Sequence, residues 1–99
     1  SQSSQTAKPF WSLYAATKAA LEAMVKSYAA ELSTTSVTAN VFWPGAVRTA
    51  MRAKAYPGED PETLPQPAAV APRLIDMIEP GFTATAIVYD NRDGTSHPL

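Results

Sequence analysis

The sequence predicts an α/β fold with the order helix, strand, helix, strand, built around a parallel sheet. An unbroken run of strong helix formers at 13–32 leads through a short Ser/Thr link to a β-branched and aromatic segment at 37–43. Helix, short link, then strand is half of an α/β unit, which requires a parallel neighbour. A second helix-like stretch at 68–78 leads to a second β-rich segment at 85–89.

The elements follow in order. Residues 1–11 are polar, then aromatic, ending in Pro9-Phe10-Trp11, and read as a loop. Ser12 is the expected N-cap, because its hydroxyl can accept an orphan backbone N–H. From Leu13 to about Leu32 no Gly or Pro interrupts the helix. Its apolar residues fall on two sides, Ala16, Ala20 and Ala23 against Leu21, Met24, Val25, Tyr28 and Leu32, so burial on more than one face is expected. Ser33-Thr34-Thr35 ends it. Val37 to Trp43 is the first strand, broken by Pro44-Gly45. Its parallel neighbour is expected upstream of residue 1, which leaves it unflanked in this chain. Ala46 to Ala55 fits one or two helical turns. Tyr56 to Pro67, with four prolines and the acids Glu59, Asp60 and Glu62, reads as a mobile loop. Ala68 to Ile78 is the second helix, with Pro67 near its start and Pro72 removing one interior hydrogen bond. Pro80-Gly81 stops it, Thr85 to Tyr89 is the second strand, and Asp90 to Leu99 is a polar tail.

Composition excludes several classes. Ninety-nine residues suit one small domain at most. The net charge is -1 and no basic patch stands out, which argues against nucleic acid as a partner. The chain has no cysteine, so disulfides and thiolate metal sites are excluded. His97 stands alone, and no metal site is expected. No apolar run reaches bilayer length, and Ser-Gln-Ser-Ser-Gln-Thr lacks the features of a signal peptide. A cytoplasmic chain with no membrane partner is expected. The chain begins without a strand or glycine-rich turn, and a missing N-terminal half is expected from that.

Tyr14 and Lys18 are candidates for chemistry, the ordinary alternative being a half-buried aromatic beside a solvated lysine. Four apart on a helix, they lie one turn apart on the same face. A lysine ammonium near a phenol favours the phenolate electrostatically. Such a tyrosine can exchange a proton with an alcohol or carbonyl oxygen. On its own the pair is a weak signal, since both residues are common on helices.

Its context is specific. Ser1 lies thirteen residues before Tyr14, and Pro44-Gly45 closes the next strand. Thr49 follows Pro44 by five residues, and Asn40 precedes it by four. In this order and spacing the chain, from Ser1 to about Tyr89, resembles the short-chain dehydrogenase/reductase (SDR) family. The resemblance implies a doubly wound, Rossmann-like parallel sheet. Residues 1–99 would be its C-terminal catalytic and substrate part, and the N-terminal nucleotide-binding half would be absent. It implies that Tyr14 is the acid/base acting on the substrate oxygen. Lys18 would stabilise the Tyr14 phenolate and bond the nicotinamide ribose, and Ser1 would polarise the substrate oxygen. Pro44, Gly45 and the backbone of Val47 would support the nicotinamide of NAD or NADP. Thr49 would contact its carboxamide or pyrophosphate, and residues 51–67 would form a variable substrate lid. The activity implied is hydride transfer between nicotinamide and a small carbonyl or alcohol substrate, in a homo-oligomer formed through the 13–32 helix.

The family's pattern is incomplete here. The four glycines, at 45, 58, 81 and 94, form no Gly-rich phosphate turn, and the Asn-Ala-Gly-type segment and helix asparagine are missing. The isolated chain is therefore expected to be inactive and to bind NAD(P) weakly. Each site residue also has an ordinary structural role open to it. Ser1 competes for its register with Ser3 and Ser4, Pro44-Gly45 suits a plain turn, and Thr49 suits a helix cap. Asn40 suits backbone satisfaction, Trp11 and Trp43 packing, and His97 an inert tail, while Arg48 and Arg52 could meet a phosphate but better suit a solvated face. The alternative functions are a non-catalytic, self-associating interaction module derived from the same fold and an unrelated small α/β binding domain.

Overall fold

A computed structural model describes every residue except Ala7. A 3-10 turn, Gln2–Ser4, precedes helix α1, Ser12–Glu31. Strand β1, Val41–Trp43, leads to the short helix α2, Ala50–Ala55, a 3-10 turn at Pro61–Thr63, and helix α3, Pro67–Asp76. Strands β2, Ile87–Asp90, and β3, Thr95–Pro98, follow. The sheet order is β1-β2-β3, with β1 parallel to β2 and β2 antiparallel to β3. The expected α/β class and element order are therefore present.

Boundaries differ from the sequence expectation for local reasons. The Trp11 carbonyl accepts the Ala15 N–H at 2.9 Å, so the helix starts one residue early. Trp11 rather than Ser12 is the N-cap, and no side chain caps it. The first strand shrinks from 37–43 to 41–43 because side chains replace its ladder. The Ala39 N–H donates to Thr85 Oγ1 at 3.1 Å, and Asn40 Nδ2 donates to the Ala84 carbonyl at 2.8 Å. Asn40 Oδ1 accepts the Ile87 N–H at 3.2 Å, so Asn40 does satisfy backbone groups. Ala86, at φ 56, turns the chain through the left-handed region and delays the second strand to Ile87. The tail is not merely polar: Asn91 to Gly94, with Gly94 at φ 72, turns it back as β3. Nor is β1 unflanked, since β2 pairs with it in the register Val41 with Val88 and Trp43 with Asp90.

Alternation along the strands puts Trp43, Val88, Asp90 and His97 on one face and Phe42 and Tyr89 on the other. Val88 is fully buried, and Trp43 nearly so. His97 packs edge-on to Trp43 with ring centroids 5.3 Å apart, a packing role rather than an inert one. Helix α1 buries one stripe, not two sides. Trp11, Tyr14, Ala15, Lys18, Glu22, Val25, Ala29 and Leu32 are sheltered, while Ala16, Ala20, Ala23, Leu21, Met24 and Tyr28 are exposed. Within this chain α1 packs against the Gln2–Ser4 turn and meets β1 through Glu22, which leaves its other sides open.

Candidate functional site

Tyr14 and Lys18 both lie on the sheltered stripe of α1. The Lys18 ammonium stands 5.4 Å from the centre of the Tyr14 ring, so one turn of helix brings the two groups to the same side. Among the described residues Lys18 has no carboxylate partner. One turn further on, at the next position of the stripe, is Glu22.

Glu22 joins three parts of the site. Its Oε1 accepts the Trp43 indole N–H at 2.7 Å, and it lies 3.6 Å from the Ser1 nitrogen. Trp43 is the residue before Pro44-Gly45, so this hydrogen bond fixes the strand-end bend against the helix carrying Tyr14 and Lys18. Ser1 caps the Gln2–Ser4 turn, its hydroxyl oxygen accepting the Ser3 N–H at 3.2 Å. That leaves the Ser1 O–H free to donate. Glu22 was not a sequence candidate. Its signal is a carboxylate at i+8 from Tyr14 and i+4 from Lys18, which continues their stripe.

The bend has its own supports. Gly45 has φ 78, and a Cβ there would meet Arg92 Cγ at 2.9 Å, so both conformation and space require glycine. Arg92 is held in turn by Asp90, whose Oδ1 accepts its Nε–H at 2.9 Å. The Arg92 guanidinium beside Asp90 draws that buried carboxyl down to about 2. Val47 is half-buried just after the bend. Thr49 does act as a helix cap, its Oγ1 accepting the Arg52 N–H at 3.1 Å, yet its own O–H stays available.

The loop after α2 is tied down by the two arginines expected on a solvated face. Arg48 donates from Nε to the Pro61 carbonyl at 2.8 Å and from its backbone to Pro65 at 2.9 Å. Arg52 makes two bonds to Glu59, at 2.8 and 2.9 Å, which raise the Arg52 affinity for its proton and lower that of Glu59. Trp11 is a packing residue with two partners, Tyr14 edge-on at 5.5 Å and Tyr56 stacked at 5.8 Å. Tyr56 and Lys8 also escaped the sequence reading, since neither lies in a motif.

Helix α1 thus carries a phenol and an ammonium on one side, and through Glu22 it contacts Ser1 and the residue before the bend. Among the described residues there is no cluster of metal-ligating side chains. Among the described residues no helix is long and apolar enough to cross a membrane.

Known proteins resemble this chain in sequence and in fold. The family described as short chain dehydrogenase matches residues 1–60. The Escherichia coli K12 protein named uncharacterized oxidoreductase YciK is 36% identical over 85 residues, covering 85% of this chain and 33% of that protein. An Arabidopsis thaliana protein named NADPH-dependent aldehyde reductase-like protein, chloroplastic, is 42% identical over 72 residues, 73% of this chain and 26% of its own length. Among solved structures, an Escherichia coli CFT073 chain of short chain dehydrogenase type, complexed with NADPH, superposes with a TM-score of 0.83 at 35% identity. That match covers 91% of this chain and 38% of that one. The chain therefore spans between about a quarter and two fifths of the length of these proteins. With the motif register, the helix-borne Tyr14 and Lys18, and a family match over more than half its length, this chain belongs to the short chain dehydrogenase family.

Proposed function

We propose that this chain carries the proton-handling part of an NAD(P)-dependent oxidoreductase acting on a small carbonyl or alcohol substrate. The observation that carries this reading is the Lys18 ammonium 5.4 Å from the Tyr14 ring centre on one side of α1. In reduction the Tyr14 O–H donates its proton to the substrate oxygen, and in oxidation the phenolate takes it back. Lys18 supplies a positive charge one helical turn from the phenol. The Ser1 O–H donates to the same substrate oxygen and holds it beside Tyr14.

The residues present fit one end of a nicotinamide cofactor. Lys18 is a donor without a carboxylate partner among the described residues, as a ribose-bonding role requires. The Pro44-Gly45 bend and the Val47 backbone support the nicotinamide side, and the spare O–H of Thr49 serves as a further donor. When bound, the nicotinamide supplies or accepts the hydride. None of the chain's glycines forms a phosphate turn, so the adenosine end must be held elsewhere in the whole protein, and this segment alone binds NAD(P) weakly. The NADPH complex of the structural neighbour and the aldehyde-reductase name of the Arabidopsis relative support this substrate and cofactor class.

Helix α1 also leaves Leu13, Leu21, Met24 and Tyr28 at least 47% exposed. Association of two copies through this face fits that surface, and a self-associating module without catalysis is the reading to set against the enzyme. Tyr14→Phe in the full-length protein separates them. Loss of about 10²-fold or more in carbonyl reduction with NADPH supports the enzyme. Full turnover by the variant, or no turnover by the parent with any carbonyl tried, removes it.

A further inference from the structure

A continuous ladder of contacts links the segment after α2 to the Tyr14 ring. Glu59 holds the Arg52 guanidinium, whose carbon lies 3.9 Å from the centre of the Tyr56 ring. Tyr56 stacks on Trp11 with 24° between the planes, and Trp11 meets Tyr14 edge-on. Lys8 closes the ladder. Its ammonium donates to the Tyr56 hydroxyl at 2.6 Å and lies 4.8 Å from the Trp11 ring centre. Phe10, between Lys8 and Trp11, is fully exposed with φ 67, a strained conformation that persists only where neighbours fix it.

The ladder joins two segments otherwise far apart in sequence, the loop 8–11 before the catalytic helix and the 50–64 segment. Tyr56 is its hinge point, since it contacts Lys8, Trp11 and Arg52 together. None of the six residues is fully buried, so the ladder stands outside the Trp43–Val88 core. Contacts of this kind set local opening rather than global stability.

We propose that Tyr56 is a positioning residue, latching the 50–64 segment to the loop before α1 and so setting how tightly that segment closes beside Tyr14. This rests on Tyr14 being the proton-handling group. Closure then governs substrate retention, while the proton transfer itself is left to Tyr14.

The test uses the full-length protein with Tyr56→Ala, Tyr56→Phe and Lys8→Met. Tyr56→Ala should speed amide hydrogen exchange across residues 53–64 by about tenfold, with β1 and β2 unchanged. It should raise KM for the carbonyl substrate about fivefold while kcat stays within about twofold. Tyr56→Phe keeps the stack and the Arg52 contact, so it should restore exchange to within about threefold of the parent. Lys8→Met should match Tyr56→Phe. Unchanged exchange in Tyr56→Ala overturns the latch, as does acceleration spread equally over β1 and β2. If Tyr14→Phe keeps full turnover while Tyr56→Ala still loosens 53–64 alone, the latch stands and the proton-handling role fails.

Discussion

The Glu22 carboxylate accepts the Trp43 indole N–H at 2.7 Å, joining the helix of Tyr14 and Lys18 to the strand that ends at Pro44-Gly45. Both residues are buried, Glu22 to 9% and Trp43 to 5% exposure. A buried carboxylate that loses a partner keeps its desolvation cost. Trp43→Phe removes the donor while keeping an aromatic ring, and should cost about 1–3 kcal/mol in urea unfolding. Glu22→Gln keeps an acceptor oxygen and should cost less than about 1 kcal/mol. Equal losses for the two variants would show that the contact is packing alone.

Asn40 makes a second prediction. Its side chain stands in for a strand, donating to the Ala84 carbonyl and accepting from the Ile87 N–H. Asn40→Ala leaves two backbone groups of the β2 approach unpaired and should destabilise by about 1–3 kcal/mol. Asn40→Asp keeps only the acceptor and sets a charge near the Ala84 carbonyl. It should be at least as damaging, and chemical denaturation of both variants checks the order.

These contacts also explain what could be read in advance. Helix α1, β1, α3 and β2 were legible because their periodic or β-branched runs fold locally. Tyr14 and Lys18 were legible because one helical turn fixes their relation. The role of Asn40 was open in the sequence, but its partners at 84 and 87 were not, because only the tertiary pairing of β1 with β2 brings them near. Strand β3 was missed because Thr95-Ser96-His97-Pro98 has little strand propensity beyond Thr95 and ends in a proline. It pairs because the Asn91–Gly94 turn returns it to β2, where His97 meets Trp43. Glu22 was missed because a lone acid on a helix normally faces water, and it takes the tertiary approach of the Trp43 indole N–H to offset its burial.

Asp90 and Arg92 give the fold an acid limit. The Asp90 carboxyl is depressed from an ordinary 3.8 to about 2, chiefly by the hydrogen bonds from Arg92, against the opposing effect of burial. A depressed carboxylate stabilises the fold above its unfolded value and loses that contribution as pH falls through the folded one. Stability should therefore decline between about pH 4 and pH 2. Arg92→Met should flatten this part of the decline and lower stability at neutral pH. Thermal melts of both proteins across this range test it. An Arg92→Met profile parallel to the parent's would assign the acid sensitivity to other carboxyls.

Thr49 allows its cap to be tested apart from its proposed cofactor contact. Its oxygen caps α2 by accepting the Arg52 N–H, and its hydrogen is the donor proposed to face the nicotinamide cofactor. Thr49→Ala removes both and should cost about 1 kcal/mol of stability besides weakening cofactor binding. Thr49→Asp keeps a capping oxygen, so stability should stay within about 0.5 kcal/mol of the parent. It has no O–H when ionised and carries a negative charge, so KM for NAD(P)H in the full-length protein should rise about tenfold or more. Thr49→Ser keeps cap and donor and should match the parent in both measurements. The Asp variant is the decisive one, because it preserves the helix start while removing the hydrogen-bond donor. A KM unchanged in Thr49→Asp would confine Thr49 to the cap and leave Lys18 and the Val47 backbone as the proposed cofactor contacts on this side.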